Sequence, residues 1–252
     1  MKYLRFEDIS GTERYGIIEG ETIREIDWDL FGDYMPADTT HEMDQVNILP
    51  PCVPTKIVCV GLNYKDHAEE MNSKVPDDPR LFIKPTTAII GHEDTIVYPY
   101  HMSQRVDYEG ELAVVIGKRA QKVDMEQALD YVFGYTCLND VTARDLTAKD
   151  VQYTRGKGFD TFAPFGPYIE TELDPGNLHI STYLNDEIKQ SSNTSMLIFS
   201  IPRLVSFISN VMTLLPGDII STGTPSGIGP MIKGDIVEVH IEGIGILRNY
   251  VG

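Results

Sequence analysis

The stretch Val106-Asp107-Tyr108-Glu109-Gly110-Glu111-Leu112-Ala113-Val114-Val115-Ile116-Gly117 constrains the fold more than any other. Its second half is an apolar run that ends at glycine and belongs in a core. Its first half alternates, and as one strand its period of two would put Asp107, Glu109 and Glu111 on one face. A chain with this segment must bury a strand whose leading end carries three mutually repelling carboxylates. A solvated strand face accounts for such a pattern. So does a divalent-cation site, where a hard ion such as Mg²⁺ or Mn²⁺ cancels the repulsion with oxygen ligands. The carboxylates alone do not decide between them.

The rest of the chain reads in the same short units. An extended stretch at 2–6 and a hairpin of 15–18 and 22–26 around Glu19-Gly20-Glu21 form a small N-terminal β unit, residues 1–50. The run Pro50-Pro51-Cys52-Val53-Pro54 favours extended backbone and connects it to a second unit, residues 51–252. There, strands are expected at 56–60, 81–84, 87–90, 112–117, 132–138, 168–169, 179–184, 218–222, 236–241 and 246–251. Helices are expected at 64–71, 125–131, 142–153 and 201–212, the last opened by Ser200 with Pro202 in its first turn. Strands in runs with few helices predict an α+β, mainly β fold. P-loop and G-x-G-x-x-G patterns are absent. Pro216-Gly217-Asp218-Ile219-Ile220 and Lys233-Gly234-Asp235-Ile236-Val237 are alike, as turns into strands often are.

Charge narrows the partners. Lys and Arg number 21 against 38 Asp and Glu, a net charge of -17, so phosphate backbones and anionic lipid surfaces are repelled. No nucleic acid and no membrane is expected as a partner. An anionic substrate would need a local cation, from a metal or from a few Lys and Arg. Three cysteines, without C-x-x-C spacing, fit a reduced cytoplasmic protein better than a disulfide framework or a zinc site. No apolar stretch is long enough for a membrane helix.

Other segments carry possible chemistry. Asp140 ends an apolar strand just before a predicted helix, where a carboxylate either caps the helix or binds a ligand. In Asn63-Tyr64-Lys65-Asp66-His67-Ala68-Glu69-Glu70, helical spacing puts His67 and Glu70 at i and i+3, so the carboxylate can orient the imidazole; a surface pair does the same. Arg155-Gly156-Lys157-Gly158 and Ser221-Thr222-Gly223-Thr224-Pro225-Ser226-Gly227 offer cations, hydroxyls and backbone N–H groups to an anion, or are plain turns.

Taken in order, the blocks G-L-N-Y-x-x-H-x-x-E at 61–70, L-F-I-K-P at 81–85, V-D-Y-E-G-E-L-A-V-V-I-G at 106–117, N-D-V-T-A-R-D at 139–145, K-G-F-D-T-F-A-P-F-G-P at 157–167 and S-T-G-T-P-S-G-I-G at 221–229 resemble the fumarylacetoacetate hydrolase family over residues 55–252. The resemblance implies a mixed β-sandwich roll and a homodimer. It implies a divalent metal, Mg²⁺ or Mn²⁺ with Ca²⁺ also accommodated, held by Glu109, Glu111 and Asp140. It makes His67 and Glu70 a lid-borne dyad, Lys157 a stabiliser of negative charge and Thr224 a holder of the substrate carboxylate, with Gln152 a further contact. Asp107, Arg105, Tyr108 and Arg144 are expected in supporting roles.

The expected substrate is a small anionic 2-oxo acid. The intact dyad favours a hydrolase that cleaves a C–C bond in 2,4-dioxo acids, with His67 activating water and the metal acting as Lewis acid on the developing enolate. An isomerase or decarboxylase of 2-oxo dicarboxylic acids is the alternative, and a non-catalytic binding protein a third. Substrate choice is expected to lie with residues 71–80 and around 185–195.

Overall fold

A computed structural model describes residues 1–27 and 30–252. The N-terminal segment forms β1 (Lys2–Glu7), β2 (Glu13–Glu19), β3 (Thr22–Asp27), β4 (Met35–Glu42) and β5 (Asn47–Leu49). β2 and β3 make the expected hairpin: Glu19 pairs with Thr22, which leaves Gly20 and Glu21 as the turn. Gly20 has φ +69°, open to glycine without steric cost.

Beyond the proline-rich connection come β6 (Ile57–Gly61), α1 (Lys65–Glu70), β7 (Arg80–Lys84), β8 (Ile89–Ile90), β9 (Thr95–Ile96), β10 (Val106–Tyr108), β11 (Gly110–Ile116), β12 (Val132–Asn139) and β13 (Thr142–Ala143). They are followed by α2 (Arg144–Lys149), α3 (Thr154–Lys157), β14 (Ala163–Glu170), β15 (His179–Leu184), β16 (Glu187–Asn193) and α4 (Ile201–Val211). The chain closes with β17 (Ile219–Ser221), β18 (Gly229–Met231), β19 (Ile236–Ile241) and β20 (Gly245–Val251). The largest sheet runs β4-β3-β2-β1-β14-β12-β11-β17-β6-β7, with β5 on β1 and β8 on β14. A second runs β16-β15-β19-β20-β9, and a third β13-β10-β18. The fold is mainly β with few helices, as the sequence implies. Among the described residues no helix is long and apolar enough to cross a membrane.

The N-terminal strands extend the largest sheet. β1 pairs with β14 through Lys2↔Glu170 and Tyr3↔Ile169, and Tyr3, Ile17 and Ile26 share a buried cluster with Phe165 and Ile219.

The apolar run of β11 lies near the middle of that sheet, between β12 and β17. Leu112, Val114 and Ile116 pack with Leu204 and Ile208 of α4 and with Val239 and Ile241 of β19. Ala113 and Val115 face the opposite way, with Ile57, Leu138 and Ile219. A period of two with both faces covered explains why the run has no polar residue. Each such Val, Leu or Ile contributes roughly 1.5–3 kcal/mol by leaving water. Cys52, Cys59 and Cys137 are free and buried.

Several expectations need correction. Residues 106–117 are not one strand: pairing breaks at Glu109, β10 joins the small sheet and β11 the large one. The helix expected at 142–153 is shortened to Arg144–Lys149: Thr142 and Ala143 pair with Asp107 and Val106, and the helix ends at Asp150. The segment 125–131 is a 3₁₀ helix, and Ser200 holds the N-cap position of α4 without a side-chain capping bond. The two similar Pro/Lys-Gly-Asp pieces share turn chemistry, with Asp218 accepting from the Leu215 N–H at 2.8 Å and Asp235 from that of Ile232 at 2.7 Å. Their strands then enter different sheets.

Candidate active site

The break at Glu109 builds the site. Its backbone N–H leaves the ladder and donates to Asn139 Oδ1 at 2.9 Å, and its carbonyl accepts from the Asp140 N–H at 2.8 Å. The end of β12 is thereby fastened to the start of β11, where Gly110 pairs with Asn139. Gly110 has to be glycine: a Cβ there would lie 2.1 Å from Thr182 Oγ1. The result brings oxygens of Glu109, Glu111 and Asp140, all buried, within 4.8 Å of one another. Asp107 stays outside this group, paired with Arg105 and Arg144 at 2.9 Å each. Asp140 caps no helix, since α2 begins after Ala143.

Cations surround two of the three acids. Lys157 Nζ lies 2.8 Å from Glu109 and 2.5 Å from Asp140, Lys84 Nζ donates to Asp140 at 2.5 Å, and Arg144 contacts Glu109. Among the described residues Glu111 receives neutral donors alone, Ser221 Oγ at 2.5 Å and the Gly223 N–H at 2.8 Å. The consequences diverge accordingly. Burial would raise Glu109, but Lys157 and Arg144 outweigh it and hold the carboxyl at about 2. Burial, then repulsion from Asp140 and Glu109, pushes Glu111 up to about 8. Burial would lower Lys157, yet its two carboxylates keep it above the ordinary lysine range. Lys84, with one carboxylate and Lys157 nearby, is pulled below that range by burial.

The three oxygens suit a hard divalent ion: the donor set is all carboxylate, and Glu111 lacks the positive partner its charged form needs. With Asp107 and Arg105 included, four carboxylates face two lysines and two arginines, so the charges sum to zero once Glu111 has released its proton.

Opposite the acids stands α1. His67 is buried, and its Nδ1 lies 2.8 Å from Glu70 Oε2, which leaves Nε2 as the ring nitrogen available to a reactant. The other Glu70 oxygen accepts from the Gly227 N–H at 3.0 Å, while the Gly227 carbonyl accepts from Tyr108 Oη at 3.0 Å. Ser192 Oγ donates to Asp66 Oδ2 at 2.6 Å and ties the helix to β16. His67, Glu109, Glu111, Asp140, Lys157 and Thr224 line one cavity of about 320 Å³.

Gln152, expected to touch substrate, is set apart: it is exposed between α2 and α3 and does not line the cavity. The Thr224 hydroxyl donates to the Gly110 carbonyl at 2.9 Å and accepts from Gln190 Nε2 at 2.8 Å. The sequence points to Gln190 only through its neighbourhood. Buried in β16, it also accepts from the Gly110 N–H and donates to the Pro225 carbonyl, each at 2.9 Å, and so locks the loop of Thr224 onto β11. Lys84 likewise escapes a reading of the sequence, although the L-F-I-K-P block holds it. Arg144 reaches the cluster directly as well as through Asp107.

The family model described as fumarylacetoacetate (FAA) hydrolase C-terminal matches residues 56–252, and one described as Rv2993c-like, N-terminal, matches residues 1–51. An uncharacterized protein of Archaeoglobus fulgidus is 62% identical over 81% of this chain and 81% of its own. Oxaloacetate tautomerase YisK of Bacillus subtilis is 41% identical over 89% of this chain and 77% of its own. The structure of 2-hydroxyhepta-2,4-diene-1,7-dioate isomerase from Mycobacterium marinum superposes with a TM-score of 0.93 at 43% identity, covering 100% of this chain and 98% of that one. Maleylpyruvate hydrolase from Sphingobium sp. SYK-6, solved with manganese(II) and pyruvate, gives 0.84 at 32% identity, covering 100% and 98%.

Proposed function

The chain belongs to the fumarylacetoacetate hydrolase family, and from that premise we propose that it is a divalent-metal-dependent enzyme that moves a proton to and from C3 of a small 2-oxo acid. The observation that carries this reading is the carboxylate-backed His67, which shares one cavity with Glu109, Glu111 and Asp140. A cation held by those three carboxylates would supply Lewis acidity toward the charge that develops on the substrate. With Glu111 ionised the charges of the cluster sum to zero, so a dication held there would leave a net positive site suited to an anionic substrate. His67 Nε2 takes the proton from C3 while Glu70 holds the ring by its Nδ1. Lys157, kept charged by its two carboxylates, stabilises negative charge on the reacting oxygen. Thr224, whose hydroxyl is engaged by the Gly110 carbonyl and Gln190, offers its backbone N–H to the substrate carboxylate. Return of the proton to oxygen or to another carbon gives a tautomerase or an isomerase, in keeping with the names of relatives at 41% and 43% identity.

Hydrolysis is the second reading, and the same dyad favours it. His67 would take its proton from water as the oxygen attacks the 4-oxo carbon of a 2,4-dioxo acid. The C3–C4 bond then breaks, and protonation at C3 gives a carboxylic acid and a 2-oxo acid. The maleylpyruvate hydrolase neighbour supports this branch and Mn²⁺ as a usable ion. A homodimer belongs to the same proposal and is tested by sedimentation equilibrium.

Proton NMR in D₂O separates the branches, with oxaloacetate and acetylpyruvate each incubated with the protein and Mg²⁺ or EDTA. Metal-dependent acceleration of C3–H exchange without new products supports the first, and appearance of acetate and pyruvate the second. Neither effect, in protein shown to bind metal, rejects the proposed function.

A further inference from the structure

One cation of the cavity is uncommitted. β7 carries Arg80, Phe82 and Lys84 on one face, since strand residues two apart share a side. Lys84 reaches the floor at Asp140. Phe82 forms the wall, its ring 5.0 Å beneath Lys157 Nζ and edge-on to Tyr153. Arg80 therefore stands at the mouth, about 13 Å along the strand from Lys84. It lines the same cavity, and its strand partner is Gly61, which places no side chain before it. Among the described residues Arg80 has no ion pair and no side-chain hydrogen bond, whereas Lys157 and Arg144, the other cavity cations, are held by carboxylates. Among the described residues, the carboxylates that line the cavity are the three on its floor. In a chain of net charge -17, with a negative partner on nearly every other arginine, Arg80 is an exposed, unpaired guanidinium at the rim of the cavity, available to an anion.

We infer that Arg80 binds a second, distal carboxylate of the substrate, so that the enzyme prefers 2-oxo dicarboxylic acids to 2-oxo acids with an uncharged tail. This inference rests on the proposed function, because it takes the first carboxylate and the 2-oxo group to lie at the floor. It also gives the 71–80 segment a defined role, in which the lid brings Met71 and Ser73 to the same mouth while Arg80 reads the far end of the ligand.

The test is calorimetric titration of the Mn²⁺-loaded protein with 2-oxoadipate and 2-oxohexanoate, which share six carbons and differ in the distal carboxylate. The overall charge of the protein repels the diacid more, so nonspecific electrostatics predict the opposite order. Wild type should bind 2-oxoadipate about tenfold more tightly, the lower range for a hydrogen-bonded charge at a partly exposed site. Arg80→Gln should abolish that ratio without changing affinity for 2-oxohexanoate or Mn²⁺, and Arg80→Lys should keep part of it. Equal affinities in wild type, or a ratio that survives in Arg80→Gln, overturn the role of Arg80 alone. Failure of both acids to bind wild type with Mn²⁺ present rejects the proposed function and this inference with it.

Discussion

Glu111→Gln should make the metal-free protein more stable at alkaline pH. Glu111 is 2% exposed, has no cationic partner, and is raised from 4.5 to about 8 by burial and then by Asp140 and Glu109. Between those values the folded chain keeps a proton that the unfolded chain has released. Stability from this group is therefore complete below about pH 4.5 and is lost as pH rises through 8. A shift of this size corresponds to at most about 5 kcal/mol, less after local relaxation. Glu109 is shifted the opposite way, but its contribution changes only below pH 4.5. In EDTA, urea unfolding of wild type should lose a few kcal/mol between pH 5.5 and 8.5, and Glu111→Gln should stay level and exceed wild type at pH 8.5 by roughly 2–4 kcal/mol. Mn²⁺ should reverse the order, because a bound cation requires the carboxylate and displaces its proton. If Glu111→Gln is the less stable protein at pH 8.5 in EDTA, charge on Glu111 is stabilising and the reasoning fails.

Other perturbations separate the parts of the site. His67→Ala should lower turnover by about 10²–10⁴-fold, the range for general-base catalysis, while Mn²⁺ affinity measured by calorimetry stays unchanged. Gly227→Ala would put a Cβ 2.1 Å from the Lys189 carbonyl oxygen at φ +95°. The loop has to shift, Glu70 loses its backbone donor, and kcat should fall about tenfold with little change in KM. Lys84→Met removes a fully buried partner of Asp140 and should cost about 3 kcal/mol in EDTA by urea unfolding, with much of the loss recovered in Mn²⁺.

What is legible in the sequence follows from which forces act locally. β11, β15 and β19 can be read directly because alternation or an unbroken apolar run reflects burial on one face or two. The division of 106–117 cannot, since acid alternation continues through Glu109 and the break depends on the Asn139 side chain, thirty residues away, taking the Glu109 N–H. Thr142 and Ala143 are likewise drawn from an expected helix by pairing with β10. The acids, the dyad and Lys157 are recognisable through ordered blocks and not through periodicity, which leaves each of them open to a surface explanation. Lys84 stays hidden because a lysine in a strand normally carries its charge to water, and only the fold shows the buried carboxylate that retains it. Gln190 and Arg80 lie in or beside segments expected to govern specificity, but their partners, or the lack of them, are properties of the folded chain.

The proposed function requires Glu109, Glu111 and Asp140 to hold jointly the ion on which a 2-oxo acid is activated. Crystals grown with Mn²⁺ and oxalate test it through the anomalous signal of manganese. One manganese peak is expected within about 2.2 Å of a carboxylate oxygen from each of the three residues, with oxalate completing its coordination inside the His67 cavity. Manganese bound elsewhere, or absent from this group at saturating concentration, would contradict it.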